Sequence, residues 1–547
     1  MAEPADESQC WVDDCQGARF DRFPECFPHL GATARTEALA RLRPGADLDL
    51  RGTQLTADDL TQLLNACRNS DGVVALGTSR FDDVVFTDEV DLADVVFTGD
   101  ANFPRARWDR GADFTAAHFV HGADFLGAIF ADVASFNRAE CEGYTVFRSA
   151  HFLGPAMFSH ATFRGQRTSF VRARFDLEAY FNGARFSLDL GISDTWFNSG
   201  VSFERSHFEG TEELGPFAAE RVLFDQAQFD AHVTLDLRAR ELSMARARLA
   251  QGGVLRLQET TVWLDGAALG GTTAVVGAEV LLSDDTPTAE TDRESVLETT
   301  AIASIRGVDA SQLVLSGVDL TSCRFSAAYQ LDRLRIEGRC RFGSPPTGFH
   351  PPFPGWPAIW RWTRRRTIIE EHRWRARQPQ RPEGWTADYP ETPRTFGWRQ
   401  PTHPERLATI YRQLRKAFED GKDEPGAADF YYGEMEMRRL SPSTPAAERG
   451  ILTLYWLFSG YGLRAGRALL GLVGLVALTT GLLAAGGFVD PGANAENALR
   501  TALNAVVFRS TAEELTTFGV YVEMVARVLG PVLLALAALS VRNRVKR

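Results

Sequence analysis

The sequence predicts an all-β solenoid followed by a helical tail that crosses a membrane twice. The first observation is the spacing of phenylalanine between Phe81 and Phe208, where an aromatic recurs in alternating steps of five and six residues. Phe occupies 20 of these 24 positions, and one extra residue is inserted after Phe163. The second observation is an uncharged run of 22 residues, 468–489. Self-similarity at a fixed short period is typical of a repeat architecture, which therefore decides the fold of the first part of the chain.

Small residues precede most of these aromatics by two positions, as Ala112 precedes Phe114 and Ala123 precedes Phe125. Residues i and i−2 of an extended chain face the same side, so the Ala and the aromatic point inward and the residue between them, such as Asp113, points outward. Five or six residues suit one short strand and a turn. Four such sides close a coil of about 22 residues, which stacks on the next coil at about 4.8 Å. We interpret the aromatics as core and not as a ligand site.

The stretch GADFTAAHFVHGADFLGAIFADVASF (111–136) resembles the pentapeptide-repeat family, whose units read A-[DN]-[LF]-x-x, in a Phe-centred, 11-residue variant. This resemblance implies a right-handed quadrilateral β-helix. It is strong over 81–230 and weaker on either side, where Leu and Val replace Phe in 233–271 and the pattern returns in 313–342.

The predicted domains are an N-terminal cap over 1–72, the β-helix over 73–343, a helical linker over 344–450 and a membrane module over 451–547. Within the cap, 46–55 looks like an opening piece of the solenoid. A helix over 56–68, with Thr56 as N-cap, interrupts it. The polar, acidic segment 283–300 is predicted to leave the solenoid as a loop.

Two apolar stretches predict transmembrane helices. Residues 468–489 are long enough to cross about 30 Å of hydrocarbon, and 519–541 form a second span with Glu523 and Arg527 near its start. The aromatic residues expected at the membrane interface before the first span are Tyr455, Trp456 and Tyr461. The alternative is a pair of buried helices in a soluble domain.

Charge predicts the orientation of this hairpin. Arg438, Arg439 and Arg449 precede the first span and basic residues fill 542–547, so the positive-inside rule places both ends on one face. The acidic N-terminus has no signal-peptide pattern. We expect a multi-pass inner (plasma) membrane protein with cytoplasmic N- and C-termini. Residues 344–547 carry 27 basic and 19 acidic residues, net +8, which leaves −20 of the total −12 on residues 1–343. A basic tail of this kind favours contact with anionic lipid.

The linker 345–385 is rich in Pro, Trp and Arg. Its core RWTRRRTIIEEHRWRAR (361–377) is interpreted as a solvated helical connector with Arg–Glu pairs, and contact with anionic lipid or nucleic acid is the alternative. Two further helices are predicted over 404–422 and 427–440, which resemble the coupling region between repeats and transmembrane helices in actinobacterial repeat proteins. Packing against partner helices is the expected role.

Three of the seven cysteines cluster near the N-terminus. Cys10, Cys15, Cys26 and His29 have the spacing C-x4-C-x10-C-x2-H and supply a Cys3His set suited to tetrahedral zinc. The spacing belongs to no standard zinc finger, so free thiols and a disulfide remain alternatives. The scattered cysteines expected in the core are Cys67, Cys141, Cys323 and Cys340.

The sequence offers no support for catalysis. It contains no nucleophile elbow, phosphate-binding Gly-rich loop or dinucleotide fingerprint after a strand. The outward His118, His151 and His207 have no acid or nucleophile partner evident from the sequence. We therefore predict a protein that is not an enzyme and that holds no cofactor other than a candidate structural zinc.

The first functional class is a membrane-anchored scaffold whose solenoid presents a long surface to cytoplasmic protein partners. Membrane lipid is then a partner, and a homo-oligomer formed through the membrane module is compatible with this arrangement. A DNA mimic that acts on a topoisomerase is another class, because some pentapeptide-repeat proteins present acidic faces. The membrane anchor and the uneven charge disfavour it, so nucleic acid is not expected as a partner.

A cation channel is the remaining class. The segment 495–510 could form a re-entrant helix, and LTTFGVY (515–521) resembles a T-x-G-Y-G selectivity filter in which Thr516, Thr517 and Gly519 fit the pattern. The second Gly of the filter is missing and Tyr521 is shifted, so this pore loop is degenerate.

Overall fold

The structure is a computed structural model that describes residues 9–279, 299–350, 360–378, 384–385, 403–490, 494–509 and 513–545. The chain divides into two compact units, Met1–Gly343 and Ser344–Arg547. The first unit is a parallel β-solenoid of about 11 turns, and the second is mainly helical. The predicted loop 283–300 lies outside the described residues except for its last two.

Each strand of the solenoid pairs in parallel with a strand one coil further along the chain. His118 and Phe119 pair with Glu140 and Cys141, a separation of 22 residues that confirms the predicted coil length. Phe152 pairs with Phe175, so the residue inserted after Phe163 lengthens each side of the coil that it enters by one position. The coil absorbs this insertion without losing its parallel pairing.

Two kinds of corner explain the alternation of five and six residues. Each five-residue step contains a tight turn in which the second residue after the inward aromatic has a positive φ, as in Asp83 (55°), Arg105 (57°) and Ala116 (56°). The amide of Ala117 closes this turn by donating to the carbonyl of Phe114 at 3.0 Å. The six-residue steps pass their corner with one more residue. A left-handed conformation costs an L-residue about 1–2 kcal/mol, so the packing of the coil must maintain these turns.

The inward side chains stack in columns along the solenoid. Phe103, Phe125 and Phe147 follow one another with ring centroids 4.9 and 4.7 Å apart and planes within 2° of parallel. Neighbouring columns meet edge to face, as Phe114 meets Phe125 at 5.6 Å and 88°. The Ala residues of the second track, such as Ala123, are fully buried between the aromatics. The predicted inward and outward faces are therefore confirmed.

The coils shorten where Leu replaces Phe. Leu235 pairs with Leu255, which pairs with Val275, so these coils contain 20 residues and each side contains five. The strands Glu213–Leu223 and Val233–Ser243 run across a corner and serve two sides of the coil. Smaller aliphatic side chains need less room at the centre, which accounts for the narrower coil.

The strands up to the last Phe-rich coil are Ala46–Asp49, Gln54–Leu55, Ala75–Arg80, Val85–Phe86, Val90–Asp91, Val96–Phe97, Ala101–Asn102, Arg107–Trp108, Ala112–Asp113, His118–Phe119, Ala123–Asp124, Ile129–Phe130, Ala134–Ser135, Glu140–Cys141, Thr145–Val146, His151–Phe152, Ala156–Met157, Thr162–Phe163, Arg167–Ser169, Arg174–Phe175, Ala179–Tyr180, Arg185–Phe186, Asp189–Gly191, Thr195–Ser202 and His207–Phe208. The later strands are Glu213–Leu223, Gln228–Phe229, Val233–Ser243, Arg248–Leu249, Gly253–Gln258, Thr261–Trp263, Ala268–Leu269, Thr273–Gly277, Ala301–Ser304, Leu313–Ser316 and Arg335–Glu337.

Helices close the N-terminal end of the solenoid. The first coil begins at Ala46, and helix α2 (Ala57–Ala66) is inserted after its second strand. Thr56 caps α2 as predicted, in a capping box with Asp59. Helix α1 (Ala32–Arg41) precedes the first coil and is linked to α2 by an ion pair of 2.8 Å between Arg35 and Asp59. Short 3-10 helices occur at Phe27–His29, Ala310–Gln312 and Leu331–Arg333.

The second unit contains seven described helices and the antiparallel pair Phe349–His350 and Trp360–Arg361. The predicted break at Glu424 is confirmed, because one helix ends at Asp420 and the next begins at Glu424. The helices are α3 (Ile369–Ala376), α4 (Pro404–Asp420), α5 (Glu424–Leu440), α6 (Ala446–Ser459), α7 (Ala465–Gly486), α8 (Ala495–Val506) and α9 (Thr517–Val545).

Candidate metal centre and candidate membrane module

The N-terminal segment brings its three cysteines and one histidine together. The amide of Cys10 donates to the carbonyl of Gly17 at 2.8 Å, which folds the first loop back on itself. Cys26 is the N-cap of the 3-10 helix Phe27–His29, so the last two candidate ligands flank one short turn. The ligand atoms of Cys10, Cys15, Cys26 and His29 all lie within 4.8 Å of one another. The sequence spacing predicted this set, and the structure brings all of its members together.

Distances within the cluster are short for atoms from three separate turns. The Sγ atoms of Cys15 and Cys26 are 3.7 Å apart. Nδ1 of His29 lies 3.6 Å from Sγ of Cys10 and 3.3 Å from Sγ of Cys26. Cys10 and Cys26 are buried, whereas His29 is exposed. The cluster therefore lies at the surface of the cap with its sulfurs turned inward.

The thiols of the cluster have different acidities. Burial pushes the pKa of Cys10 upward, but hydrogen bonds from the backbone of Cys26 and Val12 and from His29 outweigh it and lower this pKa to about 7. For Cys26, burial and then the charge of Cys15 raise the pKa well above its usual range. The sulfurs can therefore all ionise only if a positive charge lies among them.

The remaining cysteines have no partner sulfur. All seven thiols are free, so the disulfide alternative is not formed in this structure. Cys67, Cys141 and Cys323 are buried as predicted. The prediction is wrong for Cys340, which is only half-buried because it lies near the end of the solenoid, where no further coil covers it.

Outward histidines of the solenoid have acid partners that the sequence did not reveal. Nε2 of His151 lies 2.9 Å from Asp176, and Nε2 of His207 lies 2.7 Å from Asp230. His118 contacts Glu142 at 3.1 Å in the same way. Each acid comes from the following coil, so a search at i+23 to i+25 would have found it. The pairs are partly exposed and bridge adjacent coils.

In the second unit, the core of the linker is buried and not solvated, which corrects the interpretation of 361–377. Glu371 is fully buried, and both of its oxygens accept hydrogen bonds of 2.6 Å from Arg365. Nε of Arg375 donates to the same carboxylate at 2.6 Å, and the Tyr411 hydroxyl donates to it from α4. Arg–Glu pairs are present as predicted, but packing against α4 removes them from water.

A second buried carboxylate continues this network toward the apolar helices. Glu436 accepts hydrogen bonds from Arg439 at 2.8 Å and from the Tyr461 hydroxyl at 3.1 Å. Arg375 lies 3.4 Å from Glu436 and so connects the two carboxylates. Tyr461 immediately precedes α7, and the network therefore joins α3 to the start of the first apolar helix.

The aromatic residues before α7 belong to a protein core. Trp456 and Tyr461 are buried with Tyr432, Met435 and Leu452. The indole of Trp456 donates to the Tyr432 hydroxyl at 3.1 Å. The expected interfacial position is therefore wrong for Trp456 and Tyr461, because α5 and α6 cover them.

Helices α7 and α9 are long and apolar enough to cross a membrane. Only 17% of the apolar window in α7 and 28% of that in α9 is buried inside the structure. Leu470 is 73% exposed and Val528 63%. Large apolar side chains exposed along a whole helix are unusual in a soluble monomer.

The candidate filter residues lie at the beginning of α9. The Thr516 hydroxyl accepts a hydrogen bond from the amide of Gly519 and donates to the carbonyl of Gly486 at 2.8 Å. Thr516 therefore caps α9, and Thr517 and Gly519 belong to its first turn. A Cβ at Gly519 would lie 2.2 Å from the carbonyl oxygen of Gly487, so this glycine permits close contact between α7 and α9. The conducting pore stays a prediction, and this geometry favours helix packing.

Comparison with known protein families supports the repeat assignment. Residues 81–129 match the family model described as Pentapeptide repeats (9 copies). Searches of curated proteins and of solved structures find no match. The match covers the most regular Phe-rich coils, and the same parallel register continues beyond them on both sides. The solenoid of this chain therefore belongs to the pentapeptide-repeat family.

Proposed function

We propose that the protein is a non-enzymatic, membrane-anchored scaffold whose pentapeptide-repeat solenoid presents a cytoplasmic surface to protein partners. In this proposal α7 and α9 form a hairpin in the inner (plasma) membrane. The exposure of their apolar side chains carries the proposal, because a helix of this composition in a soluble protein would be buried. Lipid covers such a surface without requiring another protein.

The flanking charge supports a hairpin with both ends in the cytoplasm. Arg438 and Arg439 at the end of α5, with Arg449 in α6, precede α7, and Arg542 follows the apolar part of α9. The segment between α7 and α8 begins with the acidic Asp490 and is the proposed external loop. Arg439 and Arg449 therefore lie on the side that the positive-inside rule assigns to the cytoplasm.

The connection between the helical linker and α7 supports an anchor that transmits position. Arg467, in the first turn of α7, donates to the carbonyl of Trp456 at 3.1 Å and lies 3.4 Å from Oγ1 of Thr363. These contacts, with the buried carboxylates, fix α7 to the soluble helices of its own unit. A flexible tether would not need them.

Ion pairs on the solenoid surface disfavour an acidic DNA mimic. Arg105 contacts Asp83 at 2.7 Å and Arg164 contacts Glu140 at 3.3 Å, each pair joining adjacent coils. Neutralised carboxylates of this kind do not reproduce the regular negative charge of a DNA backbone.

Photocrosslinking in native membranes tests the scaffold. A photoreactive phenylalanine analogue replaces one exposed residue at a time in the full chain. The chosen positions are Tyr144, Leu153, Leu177 and Leu188, which are 45%, 40%, 44% and 44% exposed. The same analogue at Phe152, which is fully buried beside Leu153, is the matched control.

We expect discrete adducts to another protein from at least one exposed position and none from Phe152. The absence of protein adducts from all four exposed positions, in membranes that contain the intact protein, would contradict the scaffold.

A further inference from the structure

The N-terminal cluster has the dimensions of an occupied metal site. A tetrahedral zinc ion with Zn–S bonds of about 2.3 Å and Zn–N bonds of about 2.0–2.1 Å has S–S edges of about 3.8 Å and S–N edges of about 3.5 Å. The distance between the sulfurs of Cys15 and Cys26 is 3.7 Å. The distances from Nδ1 of His29 to Cys10 and Cys26 are 3.6 and 3.3 Å. All three distances agree with the edges of that tetrahedron.

Backbone amides surround the sulfurs in the way that supports thiolate ligands. The amide of Cys26 lies 3.3 Å from Sγ of Cys10, and the amide of Gly17 lies 3.4 Å from Sγ of Cys15. Amide donors stabilise the charged form of a thiol and orient metal ligands from outside the coordination sphere. A Cβ at Gly17 would lie 2.8 Å from the Thr53 side chain and 3.3 Å from Sγ of Cys15, so glycine leaves room for this arrangement.

We propose that Cys10, Cys15, Cys26 and His29 bind one structural zinc ion, which locks the N-terminal cap onto the first coil of the solenoid. Three sulfurs and one imidazole nitrogen complete a tetrahedral shell, so the site is closed and has no position for a substrate. This proposal concerns the cap alone and does not depend on the membrane anchor or on any protein partner.

A cluster of hydrogen-bonded thiols explains the geometry less well. A thiol is a weak donor and a weak acceptor, so it gives little reason for three sulfurs and a histidine to converge. A disulfide between Cys15 and Cys26 requires an S–S distance of about 2.05 Å. It would also leave Cys10 and His29 without a role. A single divalent cation uses every member of the set.

The consequence for the fold follows from where the cap lies. The amide of Ala18 donates to the carbonyl of Arg51 at 2.7 Å, at a corner of the first coil. At the same corner a Cβ on Gly52 would lie 2.5 Å from the carbonyl oxygen of Gln16. The loop that carries the ligands is therefore in direct contact with the end of the solenoid. Terminal coils of repeat proteins need such a cover, because they otherwise expose unpaired strand edges.

The test uses the full chain, purified in detergent and reductant without added chelator. Elemental analysis should find about one zinc per chain in the parent protein and in the control Cys340→Ser, and less than about a tenth in Cys15→Ser/Cys26→Ser. Cobalt added to the metal-free parent should give the absorption bands of a tetrahedral site with thiolate ligands. The cobalt spectrum needs no variant and therefore remains informative if the double variant does not fold.

Hydrogen exchange then locates the effect. Removing zinc from the parent protein should accelerate exchange in residues 9–31 and 46–55 and leave residues 100–160 unchanged. The proposal is overturned if the fresh, reduced parent binds neither zinc nor cobalt. It is also overturned if the double variant retains a full equivalent of zinc, or if zinc removal leaves exchange in the cap unchanged.

Discussion

The rings of Phe125 and Phe147 lie parallel, with centroids 4.7 Å apart and an angle of 2° between their planes. The two residues are 22 positions apart in the sequence and adjacent in space. Phe125 has no exposed surface and also meets the edges of rings from neighbouring columns, including Phe114. One coil of the solenoid therefore depends on the aromatics of the coils on both sides.

Replacing Phe125 by Ala should destabilise the solenoid by about 3–5 kcal/mol, because the lost ring leaves a cavity between three coils. Leu126→Ala is the matched control and should cost about 0.5 kcal/mol or less, since Leu126 is 38% exposed. Pulse proteolysis of the full chain in urea, followed through solenoid peptides by mass spectrometry, measures both. Equal shifts of the two midpoints would contradict the assignment of inward and outward faces.

Adjacent alanines at one corner should respond to glycine with opposite signs. Ala116 has a φ of 56°, which glycine adopts without strain, so Ala116→Gly should stabilise the solenoid by about 0.5 kcal/mol after its entropy cost. Ala117 is fully buried, and Ala117→Gly should destabilise it by about 1 kcal/mol or more. The same proteolysis assay applies. Destabilisation of similar size in both variants would mean that the corner does not hold Ala116 in a strained conformation.

The sequence predicted the solenoid well because its repeat places like residues in contact. The recurrence of Phe at i+22 contains the coil length, the register and the core, and each was confirmed. The conformation of the corners was not predicted. Residues as different as Asp83, Arg105 and Ala116 occupy the left-handed position, so no residue type marks it.

The cap and the linker show the limits of local sequence. The cysteines and His29 are close in the sequence, so their spacing predicted a cluster that the structure brings together. Glu371 was interpreted as solvated because Arg and Glu surround it in the sequence. Its burial depends on Tyr411 in α4, 40 residues away. Burial that arises from distant residues cannot be inferred from the composition of a short segment.

Breaking the buried network should destabilise the helical unit. Glu371→Gln leaves Arg365 and Arg375 without their shared carboxylate, and removing one partner of a buried ion pair typically costs about 3–5 kcal/mol. Glu419→Gln removes the exposed partner of Arg415 in an i,i+4 pair and should cost about 0.5 kcal/mol or less. Thermal unfolding of the full chain in detergent, read by hydrogen exchange of α3–α5, gives both values. A loss for Glu371→Gln no greater than that for Glu419→Gln would contradict the network.

The same carboxylate predicts a pH dependence. Burial raises the pKa of Glu371, but the charges of Arg365 and Arg375 outweigh it and lower the pKa from 4.5 to about 2. A pKa that is lower in the folded protein contributes stability above pH 4.5, and this contribution is lost as the pH falls from 4.5 toward 2. The parent protein should therefore lose stability over that interval more steeply than Glu371→Gln. Parallel pH profiles for the two proteins would contradict the shift.

Two glycines in the apolar helices should differ in their tolerance of a side chain. A Cβ at Gly530 would lie 2.9 Å from Cα of Val506 in α8, whereas a Cβ at Gly474 meets nothing within 4 Å. Gly530→Leu should destabilise the membrane module by about 1–3 kcal/mol, and Gly474→Leu should have little effect. Thermal aggregation of the detergent-solubilised chain compares them. Equal midpoints would contradict the packing of α8 against α9.

The central claim is that α7 and α9 form a membrane hairpin with the soluble units on the cytoplasmic side. Cysteine introduced at Val489, which follows α7 and is 57% exposed, tests one side, and cysteine at Ile451, which precedes α7 and is 68% exposed, tests the other. Intact cells expressing each full-length variant are treated with a membrane-impermeant thiol reagent, and the modified peptides are identified by mass spectrometry. The account predicts modification at position 489 in intact cells and at position 451 only after permeabilisation. Modification at 451 in intact cells, or protection of 489 until the cells are permeabilised, would contradict the hairpin and the scaffold that depends on it.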